Sequence, residues 1–134
     1  MTKRPDAHYG QSFGLGFYEY FLLCELLGAK PLPVLNIGTA CQFRSTEMVD
    51  SGSVEFEEYV QDALDLIEFA NGPVDSKWGA LRAKMGHPEP FGMDFLSVGN
   101  EQWETQYLDL RYRYERFEAA IHAKYPEIRL LGTA

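Results

Sequence analysis

Apolar positions recur along the chain with two different spacings, and these alternate. From Ser12 to Leu27 almost every side is apolar, through Phe13, Phe17, Phe21, Leu22, Leu23, Leu26 and Leu27. Such a segment reads as a helix that must be covered on several faces, with Gly28 placed to end it in a left-handed cap. Pro33 to Gly38 is a short apolar run closed by glycine, a buried strand with proline tolerated at its start. Over residues 54–71, Phe56, Tyr59, Val60, Ala63, Ile67 and Ala70 form one helical stripe, and the rest of the surface carries six acids and no base. That acidic face reads as solvated. Asn71-Gly72-Pro73 stops the helix.

Residues 74–92 read as a long connection with a short helix near 77–85. A second strand runs from Phe95 to Gly99. A helix over Glu104–Lys124 turns Leu110, Tyr114, Phe117 and Ile121 inward, and Ile128 to Gly132 is a third strand. Strands alternating with helices imply an α/β fold whose parallel strands are joined by right-handed crossovers. An open doubly wound sheet and part of an eight-stranded (β/α)8 barrel both satisfy this order. The chain opens on a helix with no strand before it and stops just after a buried strand. Three strands close no barrel, so residues 1–134 are expected to be an excerpt of a single larger domain. Alone, such a piece is expected to be marginally stable, with sheet edges left open.

Composition narrows the function. The 134 residues are 46% hydrophobic and 24% charged, as in globular proteins, and 14% are aromatic, a content that serves either a core or stacking on sugar rings. A net charge of −8 repels phosphate backbones, so no nucleic-acid partner is expected. No basic stripe contradicts this: the densest basic cluster, Arg111, Arg113 and Arg116, is interleaved with Asp109, Glu115 and Glu118. No apolar stretch reaches the roughly 18 residues of a membrane span. Cys24, Cys41, His8, His87 and His122 show no metal-ligand spacing, so neither a metal nor an organic cofactor is expected, and Cys24 reads as a buried thiol. Gly14 and Gly16 lack the preceding strand and third glycine of a phosphate loop.

Parallel α/β folds place their sites at the carboxyl ends of the strands. Asn36 closes the first strand there, and Asn100 and Glu101 close the second. If the pleat continues, Ser97, Gly99 and Glu101 share a face, and two small residues under the carboxyl leave room for a ligand. A poorly solvated carboxyl holds its proton more firmly, which is what a general acid requires. Asn100 suits a sugar hydroxyl, and Trp103 at the rim suits a sugar ring. Spacing alone leaves an ordinary alternative open: Asn-Glu as the cap of the following helix.

Gly99-Asn100-Glu101-Gln102-Trp103 resembles the acid/base motif of glycoside hydrolase family 51, the α-L-arabinofuranosidases, in which an Asn-Glu pair ends the fourth strand of a barrel. Residues 11–29 resemble that family's helix before the third strand, Pro33 to Asn36 the strand itself, and residues 59–73 and 78–90 the segments that follow. Residues 125–128 resemble the approach to the fifth strand. The likeness therefore covers about 9–132.

The resemblance implies a partial TIM barrel spanning the third to fifth strands. It implies a retaining hydrolase that releases terminal non-reducing α-L-arabinofuranosyl units from arabinose-containing oligosaccharides or polysaccharides such as arabinan. Glu101 would be the acid/base, Asn100 would bind the sugar 2-hydroxyl, and Asn36 and Cys41 would lie near the same subsite. The family's nucleophile, a second glutamate on the seventh strand, and its C-terminal β-sandwich would lie beyond Ala134, so this chain alone is expected to be inactive. Glu104 departs from the small residue expected after the tryptophan. The competing readings are a xylosidase or endoglucanase on the same barrel, or a non-catalytic carbohydrate-binding α/β unit. Linkage preference and compartment stay open, and a homo-oligomeric parent enzyme is compatible with the pattern.

Overall fold

A computed structural model of the chain describes residues 8–10, 12–40, 47–102 and 109–132. In chain order the elements are α1 (Phe17–Leu27), β1 (Val34–Leu35), α2 (Val54–Asn71), α3 (Lys77–Lys84), β2 (Phe95–Val98), α4 (Leu110–Lys124) and β3 (Arg129–Gly132). The strands pair in the order β1-β2-β3, all parallel, with Val34 opposite Ser97 and Leu96 opposite Leu130. The α/β reading and the parallel order both hold.

The helix α2 forms where the stripe predicts it. Ser53 caps it, its hydroxyl accepting from the Phe56 amide at 3.1 Å, and Glu55 and Glu57 lie in the first turn, where the helix dipole favours acids. Phe56, Val60, Ala63, Leu66, Ile67 and Ala70 are buried in one cluster with Leu96 and Val98 of β2 and Phe117 and Ile121 of α4. Tyr59 is only half-buried, and Leu66 takes a place on the stripe. Gly72 does end α2, but not as a left-handed cap: its φ is −64°. Glycine is needed there because a Cβ would lie 2.5 Å from the Glu68 carbonyl oxygen. Asn71 then reaches across to Met93, its amide donating to the carbonyl and its oxygen accepting from the N–H, each at 2.8 Å. This pair fixes where the chain enters β2.

α1 starts at Phe17 rather than Ser12. The Glu19 carboxylate accepts from the Gly16 amide at 2.9 Å and so marks the first turn. Its C-terminus follows expectation, with Gly28 at φ 65°. The described residues bury only Phe21 and Cys24 of this helix, and leave Leu26 83% exposed. α4 starts at Leu110, later than Glu104. Residues 104–108 of the expected helix lie outside the described residues.

The connection from α2 to β2 is held by one buried cation. Arg82, on α3, is wholly buried and donates to the carbonyls of Phe69, Gly72, His87 and Pro88 at 2.8–3.0 Å. Burial lowers its pKa, but a guanidinium stays charged. Glu68 adds a second tie, accepting from the Trp78 amide at 3.0 Å and from Lys124 at 3.2 Å. The hydrogen bond from Trp78, and then Lys124, hold its carboxyl below the usual glutamate range. Arg82→Met keeps the aliphatic stem and strands the carbonyls, so it should lower the unfolding free energy by about 3–5 kcal/mol. Urea titration would measure this, with the exposed Lys84→Met changing it by less than about 0.5 kcal/mol.

Candidate active site

Because β1 and β2 are parallel neighbours, their carboxyl ends open side by side. Each is broken by a left-handed glycine, Gly38 at φ 79° and Gly99 at φ 80°. The last bond of the ladder runs from the Gly99 amide to the Leu35 carbonyl at 2.9 Å. The pleat therefore does not carry through to Glu101, and Ser97, Gly99 and Glu101 are not a common strand face. The chain turns instead, and Glu101 itself is left-handed, with φ 57°. For a side chain with a Cβ that conformation costs roughly 1–2 kcal/mol.

The turn nevertheless brings the expected residues together. Asn36, Asn100 and Glu101 line one cavity of about 220 Å³, together with Val34, Leu35, Thr39, Ala40 and Gln102. Among the described residues Glu101 is the one acid on this wall, and both it and Asn100 face solvent. The described residues thus do not supply the burial expected to desolvate the carboxyl. The pair does not cap α4, the next helix among the described residues, whose N-cap is Asp109. Cys41 and Trp103 lie outside the described residues. A larger hollow of about 590 Å³, lined by Phe17, Tyr59, Phe69 and Trp78 among others, excludes Asn100 and Glu101.

Asn36 has a structural task as well. Its Oδ1 accepts from the amides of Gly38 at 2.7 Å and Thr39 at 3.0 Å, which folds the loop after β1 and leaves its Nδ2 as the end available to a ligand. The loop returns through a bridge between Thr39 and Met48, and the Val49 amide donates to the Gly38 carbonyl at 2.8 Å.

Arg113 pins this loop. It is buried on α4, donating to the Ile37 carbonyl at 2.9 Å, to the Val49 carbonyl and to Asp109 at 3.0 Å, over the Phe56 ring. Position 113 lies one turn from Leu110 and one from Phe117, on the inward face of α4. Gln102 is also buried, its Nε2 donating to Thr39 Oγ1 at 3.2 Å. Its place in the Asn-Glu-Gln run carries no such signal. Among the described residues, no group of three or more His, Cys, Asp or Glu could hold a metal ion. His87 is occupied differently, stacked on Phe91 and bonded to the Glu89 carbonyl and Glu25. Cys24 is a buried free thiol, as expected.

The family model of the alpha-L-arabinofuranosidase 1 domain matches residues 2–134. The chain is 47% identical over 128 residues to an extracellular exo-alpha-L-arabinofuranosidase of Streptomyces chartreusis, covering 94% of this chain and 15% of that protein. It is 41% identical over 136 residues to alpha-L-arabinofuranosidase 2 of Arabidopsis thaliana, covering 97% of this chain and 19% of that protein. An arabinose-bound α-L-arabinofuranosidase of family 51 superposes with a TM-score of 0.79 at 34% identity, over 94% of this chain and 19% of its own. The Thermotoga maritima α-L-arabinofuranosidase, at 21% identity and a TM-score of 0.71, shares the fold over 94% of this chain and 24% of its own. The chain therefore spans under a fifth of the length of these curated relatives.

Asp109 gives the clamp a pH dependence. Burial alone would raise its pKa, but the hydrogen bond and charge of Arg113 outweigh burial and hold it below the usual aspartate range. A carboxyl depressed in the folded state stabilises above its unfolded value of about 3.9, and that contribution is lost as the pH falls through the lower folded value. Asp109→Asn should therefore be less stable than the parent at pH 7, with the gap closing below about pH 4. Urea unfolding at pH 7, 5, 4 and 3 would measure it.

Proposed function

The chain belongs to the alpha-L-arabinofuranosidase 1 domain family of glycoside hydrolase family 51, and on that premise we propose that Glu101 is the general acid/base of a retaining α-L-arabinofuranosidase. In this reading the described strands are the third to fifth of a (β/α)8 barrel. The observation that carries it is the convergence of Asn36, Asn100 and Glu101 on one cavity at the carboxyl ends of parallel strands.

The chemistry follows from one carboxyl acting twice. A second glutamate, supplied by a strand outside these residues, attacks the anomeric carbon while Glu101 protonates the departing glycosidic oxygen. The glycosyl-enzyme ester is then cleared by water, which Glu101, now a carboxylate, deprotonates. Such a pair works at a separation of about 5–5.5 Å. Asn100 beside Glu101 hydrogen-bonds the 2-hydroxyl, and Asn36 offers its Nδ2 to the same terminal non-reducing arabinofuranosyl unit. On the sequence resemblance, Cys41 and Trp103 add contacts to that sugar. The substrate is an arabinose-bearing oligosaccharide or polysaccharide. The solvent exposure of Glu101 is consistent with the remaining barrel strands providing the walls that exclude water. Neither step calls for a cofactor.

In the full-length enzyme, Glu101→Ala should lower kcat/KM for arabinosides with poor, alkoxide leaving groups by about 10²–10⁴-fold, and much less for dinitrophenyl arabinofuranoside, whose leaving group needs no proton. Azide should accelerate turnover of the dinitrophenyl substrate and yield an arabinosyl azide. Equal losses on both substrates, without azide rescue, would remove Glu101 from this role.

A further inference from the structure

We propose that Gln102 is a positioning residue, latching the turn that carries Glu101 to the loop after β1. This inference rests on the reading of Glu101 as the acid/base.

A left-handed glutamate relaxes unless the chain on both sides of it is held. On the N-terminal side Gly99 is tied to Leu35 by the last ladder bond, 2.9 Å long. On the C-terminal side the next residue is not released to solvent: Gln102 is 6% exposed. Its amide lies against the backbone of Gly99, where an added Cβ would come within 2.2 Å of Oε1 and 3.0 Å of Cδ. The side chain thus packs back against Gly99 within the turn over 99–102. Beyond Gly99, Nε2 reaches Thr39 Oγ1 at 3.2 Å. Thr39 is 7% exposed and is itself fixed, its amide donating to Asn36 Oδ1 and its backbone bridged to Met48. The path Asn36–Thr39–Gln102 therefore joins the two strand ends, and residues from both ends share one cavity wall with Glu101. Without the latch, the strain at residue 101 has an outlet, and the carboxyl moves relative to Asn36 and Asn100.

Misplacing a catalytic group by about 1 Å costs on the order of 100-fold. The loss should appear only where the proton matters. In the full-length enzyme, Gln102→Leu and Thr39→Val are each expected to lower kcat/KM for an alkyl arabinofuranoside by about 100-fold, and that for dinitrophenyl arabinofuranoside by less than about threefold. Thr39→Ser, which keeps the hydroxyl, should restore most of the alkyl activity. A purely structural contribution would lower both substrates together, and that result, or no loss on either, overturns the latch. Glu101→Ala measured alongside separates the two readings. If it is itself indifferent to the leaving group, the acid/base assignment fails and the latch with it. If it is sensitive while Gln102→Leu and Thr39→Val are not, the latch alone fails. Should Gln102→Leu not fold, Thr39→Val decides on the same pair of substrates.

Discussion

Backbone carbonyls that leave the sheet and the helices while still buried need donors, and two arginines supply them. Arg113 takes the carbonyls of Ile37 and Val49, and Arg82 takes those of Phe69, Gly72, His87 and Pro88. A guanidinium offers five donors in a rigid fork, so one side chain can organise a whole loop. Everything at the mouth of the sheet depends on Arg113. It spans from α4 to the end of β1, and by holding both arms of the loop after β1 it decides where Asn36 and Thr39 stand. Buried unpaired carbonyls are costly enough that the two described arms of this loop are held in place at Ile37 and Val49.

From that fixed loop the rest follows by contact. Thr39 receives Gln102, Gln102 packs back against Gly99 in the turn after β2, and that turn brings Glu101 to the same cavity as Asn36. The apolar core does a different job. Phe56, Ile67, Phe117 and Ile121 press the helices against β2, which sets the strand spacing but not the direction of any polar group at the mouth. Packing supplies the platform, and hydrogen bonds to carbonyls supply the aim. The acidic face of α2 takes little part in either: Glu57 pairs with Arg116 and Glu68 with Lys124, tying it to α4 at the periphery.

The sequence was legible where periodicity and topology suffice. The stripe from Phe56 to Ala70 located α2, and parallel strands forced Asn36 and Asn100 to the same end. What it did not convey are the places where a local hydrogen bond overrules the period. Glu19 starts α1 late, and crowding against the Glu68 carbonyl, rather than a left-handed cap, selects Gly72. The pleat argument for Glu101 failed because Gly99 and Glu101 both turn left-handed, a backbone choice that no alternation of side chains encodes. Arg113 could have been found, since it sits on the inward stripe of α4, and was hidden only by the charges around it. Gln102 carried no signal, because its burial depends on the approach of Thr39 from a distant segment.

The left-handed backbone at Glu101 has an evolutionary consequence. By conformation alone this position favours glycine or asparagine, which adopt φ near 57° at little or no cost. Either replacement would make the turn more comfortable while removing the ionisable group. With Glu101 in the proposed acid/base role, selection for thermal robustness and selection for turnover pull this codon in opposite directions. A lineage released from the proposed acid/base role would be expected to drift there toward glycine or asparagine, keeping the fold and losing the carboxyl.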